Sequence, residues 1–303
     1  MPNTDTNTMS SEHESGEDFP RMRREKEKVR ERQQQGDGIG WGGQTLREQF
    51  EDLEEKTDET GHYAGFERLE LKQEEPIEYE QMFAQLRGDL VTARETSKEV
   101  AATPIVEQEG ELCYGLFTPE GDSIAVSTGI IVHIHTMSEA IKYMINHDYE
   151  ESPGIEPGDI FVNNDTHVGD VHPCDIMTLI PIFHEGELVA WAGGVNHVID
   201  AGAIGPGSMN VSQASRFGDG AYYTARKIGE DLQIYNSWKN DFPDKTRTPD
   251  FLKLDEKTRM TGCLMIRKAV NDLIDEYGVE KFKQLSREAI EDGRRGFRSR
   301  IQK

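Results

Sequence analysis

The sequence has little cysteine, little basic charge and no long apolar run. Three of its 303 residues are cysteines, and none forms a Cys-x-x-Cys pair, which argues against a disulfide framework and a zinc ribbon and suits a reducing cytoplasm. No stretch approaches the roughly 18 apolar residues of a membrane span. The first 20 residues lack the basic and apolar regions of a secretory signal. We therefore expect a cytoplasmic protein without a membrane anchor.

Basic residues are far outnumbered by acidic ones. Lys and Arg number 34 against 57 Asp and Glu, so the formal net charge is −23. Such a surface repels phosphate backbones, and nucleic-acid binding is not expected. The acid excess runs along the whole chain, which favours an acidic protein of halophilic type that works in a high-salt cytoplasm. A merely acidic protein is the alternative.

The composition divides the chain into a tail and one folded domain. Residues 1–37 are polar and nearly free of large apolar side chains, which predicts a disordered tail because ordering it would bury too little apolar surface. Within it, "RMRREKEKVRERQQQ" is compatible with a short charged helix. Residues 38–303 are expected to form the domain, with regular structure beginning near Thr45.

Several patterns predict secondary structure in the first half of the domain. Pro76 suits a first helical position, and apolar residues at spacings of three and four predict a helix that Pro104 stops. "ELCYGLFTPEGDSIAVST" predicts a β-hairpin. Thr136 and Glu139 match a capping box and predict a helix from there to about Ile145.

The second half combines buried strands with long helices. "GDIFVNND" predicts a buried strand, and "IMTLIPIFHEGELVAWAGGV" predicts a second hairpin that turns at Glu185-Gly186. A glycine-rich loop follows Asp200. The last part predicts two helices separated at Gly278. Central hairpins flanked by helices indicate an α+β fold with a mixed or antiparallel sheet.

Four of the nine histidines lie between Val162 and Gly202, each near an aspartate. In "DVHPCD", His172 and Asp175 are three residues apart across a turn that Pro173 makes rigid. His197 ends the second hairpin, whose strands can return it to the same point. Two imidazoles and one carboxylate leave open positions on a metal such as Mn²⁺, Fe²⁺ or Zn²⁺. Alternative ligands, or acceptors for the imidazole N–H groups, are Asp165, Asp170 and Asp200.

A chance cluster in an acidic protein remains the alternative to a metal site. His184, beside the turn, is expected to be an ordinary hairpin residue. "VHIHTM" places His133 and His135 on one face of a presumed strand, either as a second ligand pair or as a half-buried strand beside a helix cap. Cys174 has no evident basic partner and is expected to be a packed thiol rather than a nucleophile.

Longer motifs resemble one family. "NNDTHVGDVHPCDI", "GGVNHVIDAGAIGPGSM" and "RFGDG" are similar to the α subunits of acetone carboxylases, in the hydantoinase B/oxoprolinase family. The resemblance runs from about Gly42 to Lys303 and is closer to ketone carboxylases than to hydantoinases. It implies the N-terminal portion of a hydantoinase B-like fold and a manganese ion held by His172, Asp175 and His197. It also implies ATP-dependent joining of acetone and bicarbonate to give acetoacetate, with ATP bound by a hydantoinase A-like β subunit and a small γ subunit completing the complex.

The same resemblance suggests a catalytic role for the glycine-rich loop and leaves three functions open for the chain. Backbone N–H groups of the loop that contains Gly205, Gly207 and Ser208 are candidates for stabilising a developing oxyanion. The chain matches less than half of a family α subunit, so we expect either a second chain that supplies the C-terminal half or a truncated product. The function is then a ketone carboxylase subunit, a ring-opening hydrolase subunit of N-methylhydantoinase or 5-oxoprolinase type, or an inactive assembly fragment.

Overall fold

A seven-stranded antiparallel sheet forms the centre of the molecule. The computed structural model describes residues 18–101, 103–208 and 215–302. The strands lie side by side in the order β2-β1-β5-β4-β3-β6-β7. Their bounds are β1 Leu112–Phe117, β2 Ser123–Val126, β3 Ile160–Asn163, β4 Asp175–His184, β5 Glu187–His197, β6 Arg226–Glu230 and β7 Gln233–Ile234.

Helices cover both faces of this sheet, which confirms the α+β class. Apolar side chains of β1, β4 and β5 pack on one face in a core shared with the long helices α4 and α8. A second core lies against helix α6. The described helices are α1 Asp18–Gln35, α2 Leu46–Thr60, α3 Glu70–Glu74, α4 Pro76–Val100, α5 Pro104–Glu107, α6 Val132–Asn146, α7 Asn236–Asp241, α8 Pro249–Tyr277 and α9 Val279–Ile301.

The β4–β5 hairpin is the longest pairing in the sheet and confirms the second predicted hairpin. Its strands alternate apolar residues towards two cores, so nine of the ten residues of β4 are buried. Glu185 and Gly186 both have positive φ, at 52° and 76°, as a tight hairpin turn requires. At the other end of the hairpin, Asp175 lies directly opposite His197.

Other predicted elements are also present. Helix α4 begins at Pro76, and β1 pairs with β2 as the first hairpin. Gly278, with a φ of 90°, separates α8 from α9. None of the helices in the described ranges is long and apolar enough to cross a membrane.

The prediction for the start of helix α6 is wrong. The helix begins at Val132, about one turn before Thr136. Thr136 therefore lies inside it, where its hydroxyl donates to the carbonyl oxygen of His133 at 3.1 Å. His133 and His135 consequently lie on a helix, not on a strand. A true capping box is formed by Thr45 and Glu48 at the start of α2.

Residues 18–37 differ from the predicted disordered tail. Met22 and Val29 on one side of α1 are buried, and the Glu25 carboxylate accepts the Gly186 N–H at 2.8 Å. The helix thus packs against the tip of the β4–β5 hairpin, so two apolar residues and a few polar contacts order a segment that is otherwise highly charged. Regular structure begins well before Thr45, and residues 1–17 of the predicted tail lie outside the described residues.

Candidate metal centre

The three residues predicted to bind metal converge at the open end of the β4–β5 hairpin. Asp175 and His197 are cross-strand neighbours, so their side chains project from the same face of the sheet. The turn before β4 is closed by the Asp175 N–H, which donates to the His172 carbonyl at 2.9 Å. His172 Nε2 lies 3.3 Å from Asp175 Oδ2. The rings of His172 and His197 are 4.8 Å apart between centroids.

Helix α6 brings a further histidine to the same place. His133 is only 3% exposed, and its Nε2 lies 3.8 Å from Asp175 Oδ1. The sequence interpretation offered His133 as a possible ligand, paired with His135 on a strand face, but did not place it in the predicted metal site. Read as a helix, the same segment puts His133 in line with Met137, Ala140 and Ile141, which all face the core. Helical periodicity was therefore the signal that could have found it.

The potential ligand atoms fall into two adjacent groups that share no residue. Donor atoms of His133, Asp170 and Asp175 all lie within 4.8 Å of one another, and so do those of His172, Cys174 and His197. The predicted set draws on both groups. The structure thus brings Asp170 to the site, as one of the three alternative aspartates, and adds His133.

Glu111 is a residue near the site that the sequence interpretation did not single out. It directly precedes β1, the strand that pairs with β5. Its carbonyl oxygen accepts the backbone N–H of His197 at 3.2 Å. Its carboxylate is close enough to raise the pKa of Asp175. No spacing pattern links Glu111 to the cluster, because the two meet only through strand pairing.

Burial sets the protonation of the site. Burial is the main cause that lowers the pKa of all three imidazoles. The pKa of His133 falls to about 4, and the pKa values of His172 and His197 are also lowered. Burial, followed by the Glu111 charge, raises the pKa of Asp175 to about 7. Burial and the charge of Asp175 also raise the pKa of Asp170. The site therefore combines neutral imidazoles with carboxyl groups that are hard to ionise. A bound cation would stabilise the ionised carboxylates.

Several buried polar atoms here have no hydrogen-bond partner among the described residues. They are Nδ1 of His133, His172 and His197 and Oδ2 of Asp170. Among the described residues, neither Asp170 nor Asp175 forms an ion pair with a lysine or arginine. Buried carboxyls without a basic partner are costly. The residues present therefore fit a divalent cation, and imidazole with carboxylate donors suits Mn²⁺, Fe²⁺ or Zn²⁺.

Cys174 is the least suitable of the nearby donors. Its thiol is fully buried, and burial raises its pKa to about 12. Its Sγ lies 3.8 Å from the carbonyl oxygen of Gly207, to which it donates. Because the thiolate is the ligand form of cysteine, the carboxyls are the better anionic donors. This environment is that of a packed thiol.

Asp165 and Asp200 bind other groups and accept no hydrogen bond from a described imidazole. Asp165 accepts from the Thr224 hydroxyl at 2.6 Å and from the backbone N–H of His167. Asp200 accepts from Arg247 Nη1 at 2.8 Å and from the Ser208 hydroxyl at 3.0 Å. Burial alone would raise the pKa of Asp200, but these hydrogen bonds outweigh it and lower the pKa. Both aspartates hold loops around the site.

The glycine-rich loop is held by its own side chains. The Ser208 hydroxyl accepts the Ala201 N–H at 2.9 Å, and the Ser208 N–H donates to the Gly205 carbonyl at 3.4 Å. Gly207 adopts a φ of 78° and contacts Cys174, which brings this loop next to the turn that carries His172. An oxyanion role for Gly205, Gly207 and Ser208 stays a prediction. His184 lies at the opposite end of the hairpin, 3.5 Å from Arg21 Nη2.

Comparison with known proteins places these features in a family. The sequence model of the Hydantoinase B/oxoprolinase family matches residues 75–303. The chain is 51% identical over 260 residues to the acetone carboxylase alpha subunit of Xanthobacter autotrophicus. This alignment covers 86% of this chain and 34% of that protein. It is 30% identical to the acetophenone carboxylase delta subunit of Aromatoleum aromaticum over 64% of this chain and 28% of that protein.

A solved structure agrees with this likeness. The nucleotide-free structure of acetone carboxylase superposes with a TM-score of 0.86 at 51% identity, over 88% of this chain and 35% of that chain. The chain thus spans about a third of the length of the relatives it matches. With the family match covering most of its residues, the chain belongs to the hydantoinase B/oxoprolinase family.

Proposed function

We propose that this chain is the metal-bearing part of an ATP-dependent ketone carboxylase. The complex would join acetone or a related ketone with bicarbonate to give a 3-oxo acid such as acetoacetate. The observation that carries the proposal is the likeness to an acetone carboxylase alpha subunit over 86% of the chain, at 51% identity. The convergence of His172, Asp175 and His197 at one sheet end supports it.

In this proposal His172, Asp175 and His197 hold a divalent metal, with Mn²⁺ the first choice and Fe²⁺ or Zn²⁺ the alternatives. Such an ion supplies a Lewis acid that polarises a substrate oxygen. The protein supplies two neutral imidazoles and one carboxylate at fixed positions. The buried strands β1, β4 and β5 behind them exclude water, which strengthens electrostatic interactions at the site.

The rest of the reaction is assigned to partners. We propose that ATP binds to a hydantoinase A-like β subunit and that a small γ subunit is present in the complex. We expect the assembly to work in the cytoplasm. The acid-rich composition, with a net charge of −23, is proposed to reflect a high-salt interior.

Labelled bicarbonate tests this function. The chain is combined with its β and γ partners, ATP, Mn²⁺ and acetone, and acid-stable radioactivity is counted. The proposal expects incorporation that needs both ATP and acetone and that His197→Ala abolishes. His184→Ala is the matched control, because it changes a histidine at the far end of the same hairpin and is expected to retain activity.

Two other results would contradict the proposal. ATP-dependent opening of a hydantoin or 5-oxoproline ring without bicarbonate incorporation would assign the chain to the hydrolases of the family. Assembly with the partners combined with equal activity of wild type and His197→Ala would instead indicate a structural part whose metal centre is not used.

A further inference from the structure

His133 is a buried imidazole that forms no hydrogen bond with the part of the chain that the structure describes. It projects from the first turn of α6 and is 3% exposed, and its Nδ1 has no partner within the described ranges. No described hydrogen bond uses its Nε2, whose neighbour is Asp175 at 3.8 Å. A buried polar side chain in this condition is unfavourable unless it serves a bound group. His133 therefore belongs to the chemistry of the site rather than to the core.

The two oxygens of Asp175 face different imidazoles. Oδ2 lies 3.3 Å from His172 Nε2, on the side of the predicted ligands. Oδ1 lies 3.8 Å from His133 Nε2, on the side of helix α6. Once one oxygen is given to a metal, the other needs a hydrogen-bond donor, as ligating carboxylates generally have. His133 is the side chain in position to provide it.

Charge balance favours one ion over two. The buried acids that face each other here are Asp170 and Asp175, and no described lysine or arginine pairs with them. One divalent cation balances two carboxylates. A second cation in the group of His133, Asp170 and Asp175 would leave an excess of positive charge in a buried site, which is costly. His133 is thus better used as a donor to Asp175 than as a ligand of a second metal.

We propose that His133 is a positioning residue for Asp175. Its Nε2–H donates to Oδ1 and so holds Oδ2 towards the metal. The present separation is about 0.8 Å longer than an ordinary N–H···O bond, a gap that a small rotation of the carboxylate closes. This inference rests on the proposed metal centre and adds to it a residue from helix α6.

Titration of Mn²⁺ into the full metal-free chain tests the proposal. Free Mn²⁺ is followed by its electron paramagnetic resonance signal for wild type, His133→Ala, His133→Gln and His135→Ala. Removing an outer partner of a metal ligand typically costs 10- to 100-fold in affinity, and this loss is expected for His133→Ala. His133→Gln keeps an N–H donor and is expected to restore most of the affinity. His135, two residues on with a side chain 75% exposed, is the matched control and should bind as wild type does.

The outcomes separate this inference from the metal centre itself. If wild type binds one Mn²⁺ and His133→Ala binds it equally well, the positioning role is overturned while the centre stands. Two ions in wild type with one lost in His133→Ala would also overturn it, since His133 would then be a ligand. A wild type that binds no Mn²⁺ overturns the centre and the inference together. Circular dichroism on each variant confirms that it is folded, and His133→Gln keeps the test valid if His133→Ala is not.

Discussion

Replacing Gly262 with alanine should destabilise the protein by forcing apart a helix and the sheet. Gly262 of α8 lies against the ring of Tyr114 in β1, where an added Cβ would come within 2.1 Å of Tyr114 Cζ and 2.3 Å of its Oη. Gly194 of β5 lies equally close to the same ring, since a Cβ at that position would come within 2.3 Å of Tyr114 Cε1. The Tyr114 hydroxyl is also held, 2.9 Å from both Ser97 Oγ and the Thr258 carbonyl.

The magnitude follows from three contributions. Overpacking costs about 1–3 kcal/mol, and losing the buried hydroxyl's hydrogen bonds costs about 1–3 kcal/mol. The better helix propensity of alanine returns about 1 kcal/mol. We therefore expect Gly262→Ala to lower the free energy of unfolding by about 1–5 kcal/mol. Gly293→Ala is the matched control: it lies in helix α9 with nothing within 4 Å, so it should stabilise by up to about 1 kcal/mol.

Urea unfolding followed by circular dichroism measures both changes. The variant is also made in a Tyr114→Ala background, where the cost of Gly262→Ala should largely disappear because the obstructing ring is gone. If Gly262→Ala unfolds at the same urea concentration as wild type, or costs the same with and without the Tyr114 ring, the packing of α8 on the sheet is not as described.

Three further predictions concern charge. In the metal-free protein, burial lowers the pKa of His133 to about 4, whereas in the unfolded chain the pKa of this histidine is about 6.5. The free energy of unfolding is therefore unaffected by this histidine's protonation above pH 6.5 and falls as the pH drops from 6.5 to 4, because the unfolded chain then binds a proton that the folded chain does not. Relative to His133→Gln, wild type should lose about 3 kcal/mol over this window, and parallel pH–stability curves would contradict the assignment. Glu120→Ala leaves the buried Arg287 guanidinium without its carboxylate and should cost about 3–5 kcal/mol, whereas Glu75→Ala at an exposed pair with Lys281 should hardly move the urea midpoint. With a net charge of −23, raising KCl from 0.1 M to 2 M should raise the unfolding temperature by screening repulsion; no rise would favour an ordinary acidic protein.

Local patterns predicted the central hairpin and the long helices well. The β4–β5 hairpin was recognisable because its apolar strands meet at Glu185-Gly186, where Gly186 readily adopts the positive φ of the turn. Pro76 and Gly278 likewise mark helix ends through their own backbone preferences. In these cases the information lies within a few residues of the feature that it determines.

Features that depend on distant contacts were missed. Helix α1 is ordered by packing of Met22 and by the bond from Gly186 to Glu25, which join residues about 160 positions apart. Strand β6 (Arg226–Glu230) is too charged to be recognised and is ordered by pairing with β3. The Thr136–Glu139 pattern matched a capping box inside a helix, because apolar Ile131 and Val132 lead into α6 without a capping side chain.

The candidate site shows the same division. His172, Asp175 and His197 were predicted from a rigid turn and a hairpin, which are local features, and the structure brings them close together. His133 and Glu111 reach the site only through the packing of α6 and the pairing of β1 with β5. Helical spacing can place His133 on the core-facing side of α6, but spacing along the chain does not show which residues either side chain meets there.

Metal content is the measurement that tests the central claim most directly. The chain is purified after growth with added manganese, and its metals are counted by elemental mass spectrometry beside His172→Ala, Asp175→Ala, His197→Ala and the control His184→Ala. We predict about one divalent ion per chain in wild type and in His184→Ala, and a large loss in the other three variants. A full complement of metal in those three, or none in wild type, would contradict the metal centre.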